Sequence, residues 1–306
     1  MRLSELPGLF RTASFTTSEA TAAGLSRSRL RAKDLAAPSR GIRAPDSELP
    51  GLLESLRGYT ASDDQTVVSE ITAAKAGGIP LPGWVDDRIH LSRTRGGTHP
   101  RRRGTVGHRT LLLPGEVIMV NGVRITSPAR TWLDLSHHLP LYDLVAAGDY
   151  LVNRHGPDHP FPREPICTLD ELRAVTMKHP KKKGKVQALS ALDLIRPGAD
   201  SPQETKMRLL LRDHGLPEPE LNVVLFDDGG FPVLWPDAAY RSYRISLQYD
   251  GGVHGDELQY QKDIDRGART ARLGWTEVRI SAKDLKGMRP PVVAKVREAL
   301  RRTGER

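Results

Sequence analysis

The chain has 306 residues, of which 38% are hydrophobic and 27% charged, and its formal net charge is +9. This length suits two or three domains with packed cores, and the positive charge favours a polyanionic partner, either nucleic acid or a membrane surface. No run of 18 apolar residues exists to span a bilayer, and no apolar leader with a cleavage site predicts secretion. The single cysteine, Cys167, excludes an internal disulfide and a thiolate zinc cluster. We therefore expect a cytoplasmic protein that binds nucleic acid, not a membrane, with Cys167 in a packing or surface role.

Residues 1–48 predict a winged helix-turn-helix. Thr16 and Glu19 form a capping-box pattern that opens a first helix, and Ser26 can cap a basic second helix. A turn at 38–41 then precedes a wing strand, which completes the helix-turn-helix-hairpin order. The spacing leaves open a small helical cap with a solvated basic face. The candidate DNA contacts on the second helix are Arg27, Arg29, Arg31 and Lys33.

Residues 49–160 predict a middle α/β domain. Helices are expected over 63–77 and 141–152 from their apolar periodicity, and a strand is expected over 88–93. Asn121-Gly122, which lies between two apolar segments, predicts a type I′ hairpin.

Two further segments are less regular. Residues 93–109 contain six arginines and no acidic residue, which suits either phosphate contacts or a solvated loop. The proline-rich residues 153–166 predict a linker or long loop, and the segment 161–196 is expected to be a linker with a short helix from about Thr168. The candidate DNA contacts in the arginine-rich segment are Arg101, Arg102 and Arg103.

Three segments of the front half share a pattern and an order with a known group of proteins. They are FTTSEATAAGLSRSRLR at 15–31, VVSEITAAKAGGIPLP at 67–82 and GVRITSPARTWLDL at 122–135. This part of the chain resembles the winged-helix segment and following domain of AbiEi-type antitoxin proteins, although the aromatic ending of the wing strand is absent from 41–45. The resemblance implies DNA binding and, in an antitoxin, a toxin partner; it leaves the oligomeric state open.

Residues 197–306 predict an α/β domain. Ser201 and Pro202 open a helix that carries Glu204 in its first turn. Glu204 and Arg208 lie four residues apart on that helix, so they can form an ion pair. The other predicted elements are strands over 221–226, 231–239 and 243–250, a helix over 256–273 and a last strand over 276–280. The strand over 231–239 is expected to be interrupted by Pro232 and Pro236.

The polar residues of this domain suit phosphodiester hydrolysis. Glu204 on the helix, Asp237 and Gln248 on adjoining strands can converge on one hard divalent cation, Mg²⁺ or Mn²⁺, which stabilises charge and activates water. His254 can act as a general acid or base near neutral pH. Taken singly, Asp237 after a proline also suits a turn, and His254 also suits a structural role.

Five motifs follow one another between Ser201 and Ile280. They read S-P-x-E-T-x-x-R, P-D, Q-Y-D-G-x-x-H, Q-Y-x-x-D-x-x-R and L-G-W-x-x-V-R-I. In order and spacing they resemble the Vsr-like short nuclease domain family, which implies a PD-(D/E)XK, restriction-endonuclease-like core.

The resemblance implies residue roles, with one departure. Glu204 would be the helix acid, Asp237 the metal-binding aspartate and His254 the catalytic-type histidine. Asp263 and Arg266 match the helix pair of the family pattern. Most relatives place Glu where this chain has Gln248, an amide that adds no negative charge. Two functions follow as hypotheses: a DNA-binding endonuclease, which is a hydrolase, or a non-catalytic DNA-binding regulator or antitoxin with a degenerate nuclease domain.

Overall fold

The computed structural model describes residues 5–47, 49, 51–93, 101–251 and 266–304. The expected mixed α/β class is confirmed. The chain divides into two compact units, residues 1–138 and 139–306, while the finer four-part division stays a prediction. Among the described residues, no helix combines the length and the apolar character that crossing a membrane requires.

The first unit begins with a small antiparallel sheet in the strand order β1-β3-β2. The capping box predicted at Thr16 and Glu19 is confirmed, because the Thr16 hydroxyl accepts from the Glu19 N–H and the Glu19 carboxylate accepts from the Thr16 N–H. The elements are α1 (Gly8–Thr12), β1 (Phe15–Thr16), α2 (Thr17–Ala22), β2 (Leu35–Ser39) and β3 (Ile42–Pro45).

The basic second helix predicted after Ser26 is wrong, since the structure forms only a 3-10 turn over Arg29–Arg31. Arg29 is buried and donates two hydrogen bonds of 2.8 Å to the Asp34 carboxylate. That pair closes a loop of five residues, a spacing that an α-helix does not bring together. The chain therefore leaves the turn and enters β2 at Leu35.

The rest of the first unit is a five-stranded sheet in the order β6-β5-β4-β8-β7. The hairpin predicted at Asn121-Gly122 is confirmed, with φ of 48° and 77° at these two residues. The elements are α3 (Leu52–Ala61), β4 (Thr66–Val68), α4 (Glu70–Ala76), β5 (Ile89–Arg93), β6 (Thr105–Arg109), β7 (Val117–Val120), β8 (Val123–Thr126) and α5 (Pro128–Leu135).

The helix predicted over 63–77 is correct only in its second half. Residues Thr66–Val68 are the central strand β4, which pairs antiparallel with β5 and parallel with β8. All three side chains are buried, and β-branched residues suit a pleated strand buried on both faces. Helix α4 starts only at Glu70.

The second unit combines a helical layer with a mixed sheet in the order β11-β12-β13. Strands β11 and β12 are antiparallel, whereas β12 and β13 are parallel. The elements are α6 (Leu141–Val152), α7 (Leu169–Lys178), α8 (Lys185–Leu192), α9 (Pro202–Asp213), β9 (Leu225–Phe226), β10 (Pro232–Leu234), β11 (Ala238–Tyr240), β12 (Ile245–Asp250), α10 (described over 266–272), β13 (Thr276–Ser281) and α11 (Pro291–Gly304).

The short helix expected from about Thr168 is confirmed as α7, which Thr168 caps. The segment 161–196 also contains α8, a helix that the sequence did not predict, and α6 packs against α8 and α9.

The interruption expected at Pro236 is confirmed, because β10 ends at Leu234 and β11 begins at Ala238, and proline has no N–H to donate to a sheet. Pro232, the other expected interruption, is instead the first residue of β10. Cys167 is a buried free thiol, and burial raises the pKa of Cys167 to about 12.

Candidate active site

Asp237 lies at the start of β11, opposite the end of β12. The antiparallel register pairs its neighbour Ala238 with Leu247, so Asp237 faces Gln248. The Gln248 side-chain amide donates to Asp237 Oδ1 at 2.8 Å, and the Tyr249 backbone N–H donates to Oδ2 at 2.6 Å. The structure therefore brings together two of the three predicted metal ligands.

Glu204 lies in the first turn of α9, which Ser201 caps. The Ser201 hydroxyl accepts from the Glu204 N–H at 3.2 Å and donates to Glu204 Oε1 at 2.7 Å. Glu204 Oε2 accepts from the Asp200 N–H at 2.8 Å. The carboxylate is thus held at the helix N-terminus with only 8% of the residue exposed.

The predicted ion pair between Glu204 and Arg208 is wrong. Arg208 is fully buried and donates instead to Asp149 of α6 at 2.9 Å and to Glu218 at 2.6 Å. A buried guanidinium needs carboxylate partners, and Asp149 and Glu218 supply them. The Glu204 carboxylate instead accepts hydrogen bonds from Ser201 and Asp200. Glu204 is therefore available to the group around Asp237.

The carboxylates of this group act on one another electrostatically. Burial raises the pKa of Glu204, and the negative charge of Asp237 raises it further. Burial also raises the pKa of Asp237, although the Tyr249 N–H and the positive charge of Arg266 oppose the shift. Asp200 raises the pKa of both groups. A bound cation would relieve this shared repulsion.

The donor atoms fit a hard divalent cation. Mg²⁺ prefers oxygen ligands, and one or two protein carboxylates suffice because the ion keeps several waters. Glu204 and Asp237 are such carboxylates, whereas Gln248 presents its N–H group to Asp237. To act as a ligand, Gln248 must turn its carbonyl oxygen toward the ion. The Gln248 N–H therefore already stabilises the negative charge of Asp237 in part, as a bound cation would do more strongly.

Beside this group lie three residues of types that can bind a metal, and the sequence did not indicate them as site residues. Ring and carboxylate atoms of His155, His159 and Asp200 all lie within 4.8 Å of one another. The buried His155 ring bonds to Asp200 Oδ1 and Asn222 Oδ1, each at 2.7 Å, and stacks on His159. Both histidines fall in the proline-rich segment interpreted as a linker. The available signal was their spacing of four residues.

Of the remaining predicted site residues, Arg266 lies within the described part of the chain. Arg266 lies on α10, with its Nε 3.5 Å from Glu277 Oε2, and its charge reaches Asp237. His254 and Asp263 lie outside the described residues, so their predicted roles stay predictions.

A basic groove forms a second candidate site, in the first unit. It has a volume of about 670 Å³, and its lining includes Arg27, Arg31 and Arg43. Arg27, Arg31 and Lys33 are exposed, which suits phosphate contacts. Arg29 is buried against Asp34, so its geometry favours a structural role instead.

The structure describes the arginine-rich segment at Arg93, the last residue of β5, and from residue 101 to its end in β6. Arg101 and Arg103 are exposed. Arg102 is partly buried and donates to the backbone carbonyl of Arg40, at 2.7 Å. Two of the three predicted contacts are therefore accessible, while the third is bonded to the turn of the β2–β3 hairpin.

No family model matches the chain. It is 28% identical over 189 residues to two curated relatives, the uncharacterized proteins MT2308 and Rv2248 of Mycobacterium tuberculosis strains CDC 1551 / Oshkosh and ATCC 25618 / H37Rv. The match covers 61% of this chain and 65% of each relative, so the chain spans about 65% of their length. Among solved structures, the crystal structure of the Rv2827c protein from Mycobacterium tuberculosis matches with a TM-score of 0.37 and 19% identity, over 60% of this chain and 72% of that chain.

Proposed function

We propose that this protein binds DNA and hydrolyses phosphodiester bonds through a Vsr-like, Mg²⁺- or Mn²⁺-dependent endonuclease site in its second unit. The observation that carries the proposal is the hydrogen-bonded pair of Asp237 and Gln248 at one end of the β11–β12 pair, with the negative charge of Asp237 raising the pKa of the buried Glu204. Perturbed carboxylates of this kind concentrate at catalytic and metal sites.

Each residue has a distinct part in the proposal. When bound, the cation would stabilise the charge of the phosphodiester and lower the pKa of an attacking water. Asp237 and Glu204 would hold it with anionic oxygens, and Gln248 would add a neutral one. Arg266 carries a positive charge whose field reaches Asp237, which suits the orientation of an anionic phosphate. His254 and Asp263 keep their predicted roles as acid–base group and helix partner.

The finer fold assignment belongs to the same proposal. The second unit would be a PD-(D/E)XK core, in which α9, the β11–β12 pair, α10 and the parallel strand β13 follow one another. The first unit would combine a winged helix-turn-helix with an AbiEi-like α/β domain. Its basic groove, with Arg27 and Arg31, would hold the DNA backbone in the cytoplasm. The sequence segments that resemble both families support this assignment.

A supercoiled-plasmid nicking assay tests the proposal. We expect nicking with Mg²⁺ or Mn²⁺, no nicking with EDTA, and loss of nicking in Asp237→Asn. The matched control is Asp228→Asn, which removes an exposed carboxylate from the β9–β10 turn. An inactive parent chain, or equal nicking by parent and Asp237→Asn, would rule out this endonuclease site.

A second function is favoured by the hydrogen bond between Gln248 and Asp237. Because the amide donates at 2.8 Å where most family members have a carboxylate, Asp237 is satisfied without a cation. This favours a non-catalytic DNA-binding regulator, such as an AbiEi-type antitoxin with a toxin partner. Specific binding to DNA together with no nicking in any divalent metal would support that function over the first.

A further inference from the structure

A buried carboxylate in the first unit is surrounded by histidines. Glu70 Oε2 lies 2.6 Å from His138 Nε2 and 3.6 Å from His137 Nε2. One ligand atom from each of these three residues lies within 4.8 Å of the other two. Tetrahedral zinc, with bonds of about 2.0–2.1 Å, separates its ligand atoms by roughly 3.4 Å, so changes of at most about 1.4 Å in these separations would create that geometry.

Two more histidines extend the group along the sheet. His108 of β6 places its Nδ1 3.8 Å from Glu70 Oε1, the second carboxylate oxygen. The other nitrogen of the His108 ring, Nε2, lies 3.0 Å from His90 Nδ1 on β5. Metal-binding histidines are usually oriented by a hydrogen bond at the ring nitrogen that does not bind the ion. His90 can fill that positioning role for His108.

The position of His90 suits this arrangement, because the ring is buried and its Nδ1 faces His108 Nε2. If His90 Nδ1 accepts the His108 Nε2 proton, His108 Nδ1 is left with a lone pair toward Glu70. Within the described residues, the buried His90 Nε2 has no hydrogen-bond partner, and it lies 3.8 Å from Asp86 Oδ2.

The backbone holds Glu70 in an unusual conformation. Its φ is +54°, a value that non-glycine residues adopt only at a cost of about 1–3 kcal/mol and mostly at functional sites. Only 2% of Glu70 is exposed. The side chains of His108, His137 and His138 are each exposed by 15–22%. The group is therefore buried at the carboxylate and open to solvent at the imidazoles, which provides a path for an ion and a water.

We propose that Glu70, His137 and His138 bind a borderline divalent cation of the zinc class, with His108 or water as the fourth ligand. Two or three imidazoles and one carboxylate suit Zn²⁺, Co²⁺ or Ni²⁺ and discriminate against Mg²⁺, which prefers an all-oxygen shell. The ion would link α4, the turn after α5 and strand β6, so it would stabilise the first unit. This site is separate in residues and in chemistry from the proposed nuclease site.

Zinc titration of the 306-residue chain tests the proposal, using protein freed of any histidine tag and stripped with EDTA. Isothermal titration calorimetry should give one tight Zn²⁺ site, confirmed by metal content after dialysis. His138→Gln and Glu70→Gln should each weaken Zn²⁺ binding at least about 10-fold. The matched control His214→Gln, at the C-terminal end of α9, should leave binding unchanged. His155→Gln should also leave it unchanged, although that histidine belongs to the other ligand-type group.

A second measurement separates ligand loss from misfolding. Co²⁺ should give visible d–d bands of tetrahedral intensity in the parent, and these bands should weaken in His138→Gln while the far-ultraviolet circular dichroism stays native. Zn²⁺ binding that survives His138→Gln and Glu70→Gln, or that is lost in His155→Gln, would overturn the assignment. So would a parent chain that binds no Zn²⁺, because Glu70 and the histidines would then form only a hydrogen-bonded network.

Discussion

Two buried glutamates, one in each unit, have different kinds of neighbouring group. Glu70 follows Ser69 at the start of α4, and Glu204 follows Ser201 in the first turn of α9. Glu70 is surrounded by imidazole nitrogens, whereas Glu204 is subject to the negative charges of Asp237 and Asp200. Because nitrogen and oxygen donors select different cations, similar local sequences can define chemically distinct sites.

The largest expected effect comes from substituting one residue in each site and measuring both DNA nicking and Zn²⁺ binding in each variant. We expect Asp237→Asn to reduce Mg²⁺-dependent nicking by about 100-fold or more, because metal charge stabilisation contributes several kcal/mol to the transition state. The same variant should bind Zn²⁺ like the parent, and His138→Gln should nick DNA with Mg²⁺ like the parent. Nicking rates and calorimetry on one set of preparations provide the measurement. Parallel loss of both properties in either variant would mean that the two sites are one functional system.

The substitution Gln248→Glu tests whether Asp237 and residue 248 bind a cation in the second unit. Without a cation, it replaces the 2.8 Å hydrogen bond to Asp237 with two facing carboxylates. We expect a loss of about 1–3 kcal/mol in the free energy of unfolding near neutral pH. With Mg²⁺ the variant should gain more stability than the parent, since an anionic ligand replaces a neutral one.

Urea unfolding with and without Mg²⁺ measures both effects. The control is Gln203→Glu, which adds the same charge at an exposed position of α9. An Mg²⁺ response equal in the parent, Gln248→Glu and Asp237→Asn would show that these residues do not hold the ion.

Stability should depend on pH through the buried carboxylates Glu204 and Asp237 of the second unit. The folded-state pKa values of Glu204 and Asp237 lie above their unfolded values of about 4. Their contribution is therefore fully present below about pH 4 and is lost as pH rises through the folded-state pKa values. Glu204→Gln should reduce this loss, so its Tm relative to the parent should increase toward pH 8.

Thermal melts between pH 4 and 8 in EDTA check this prediction. Glu164→Gln, at an exposed carboxylate, should not change the slope of Tm against pH. A Tm difference between Glu204→Gln and the parent that stays constant with pH would contradict the raised pKa of Glu204.

The smallest expected effect distinguishes exposed from buried arginines. Arg27→Gln should lower the log–log salt slope of DNA binding by about 0.9, the contribution of one phosphate contact. Arg29→Gln should leave the slope unchanged and instead destabilise the fold by about 1.5–3 kcal/mol, because its bonds to Asp34 are charge-assisted. Fluorescence anisotropy at 50–200 mM salt measures the slopes, and the opposite assignment would remove Arg27 from the interface.

Local patterns determined many helix and turn boundaries. The capping residues Thr16 and Ser201 and the Asn121-Gly122 hairpin act through neighbours within a few residues, so spacing alone identifies them. The same logic fails for Thr66–Val68, where pairing with two distant strands overrides an apparent helical periodicity.

Tertiary structure alone decided which polar groups meet. By itself, the sequence indicated Asp237 and Gln248 as neighbours on adjoining strands, and the β11–β12 register brings them into contact. It did not indicate that Arg208 would pair with Asp149, because that partner lies on another helix. Nor did it indicate that Glu70 would meet His108, His137 and His138. Those residues are separated by up to 68 positions, and only the packing of helices on a sheet gathers groups so far apart along the chain.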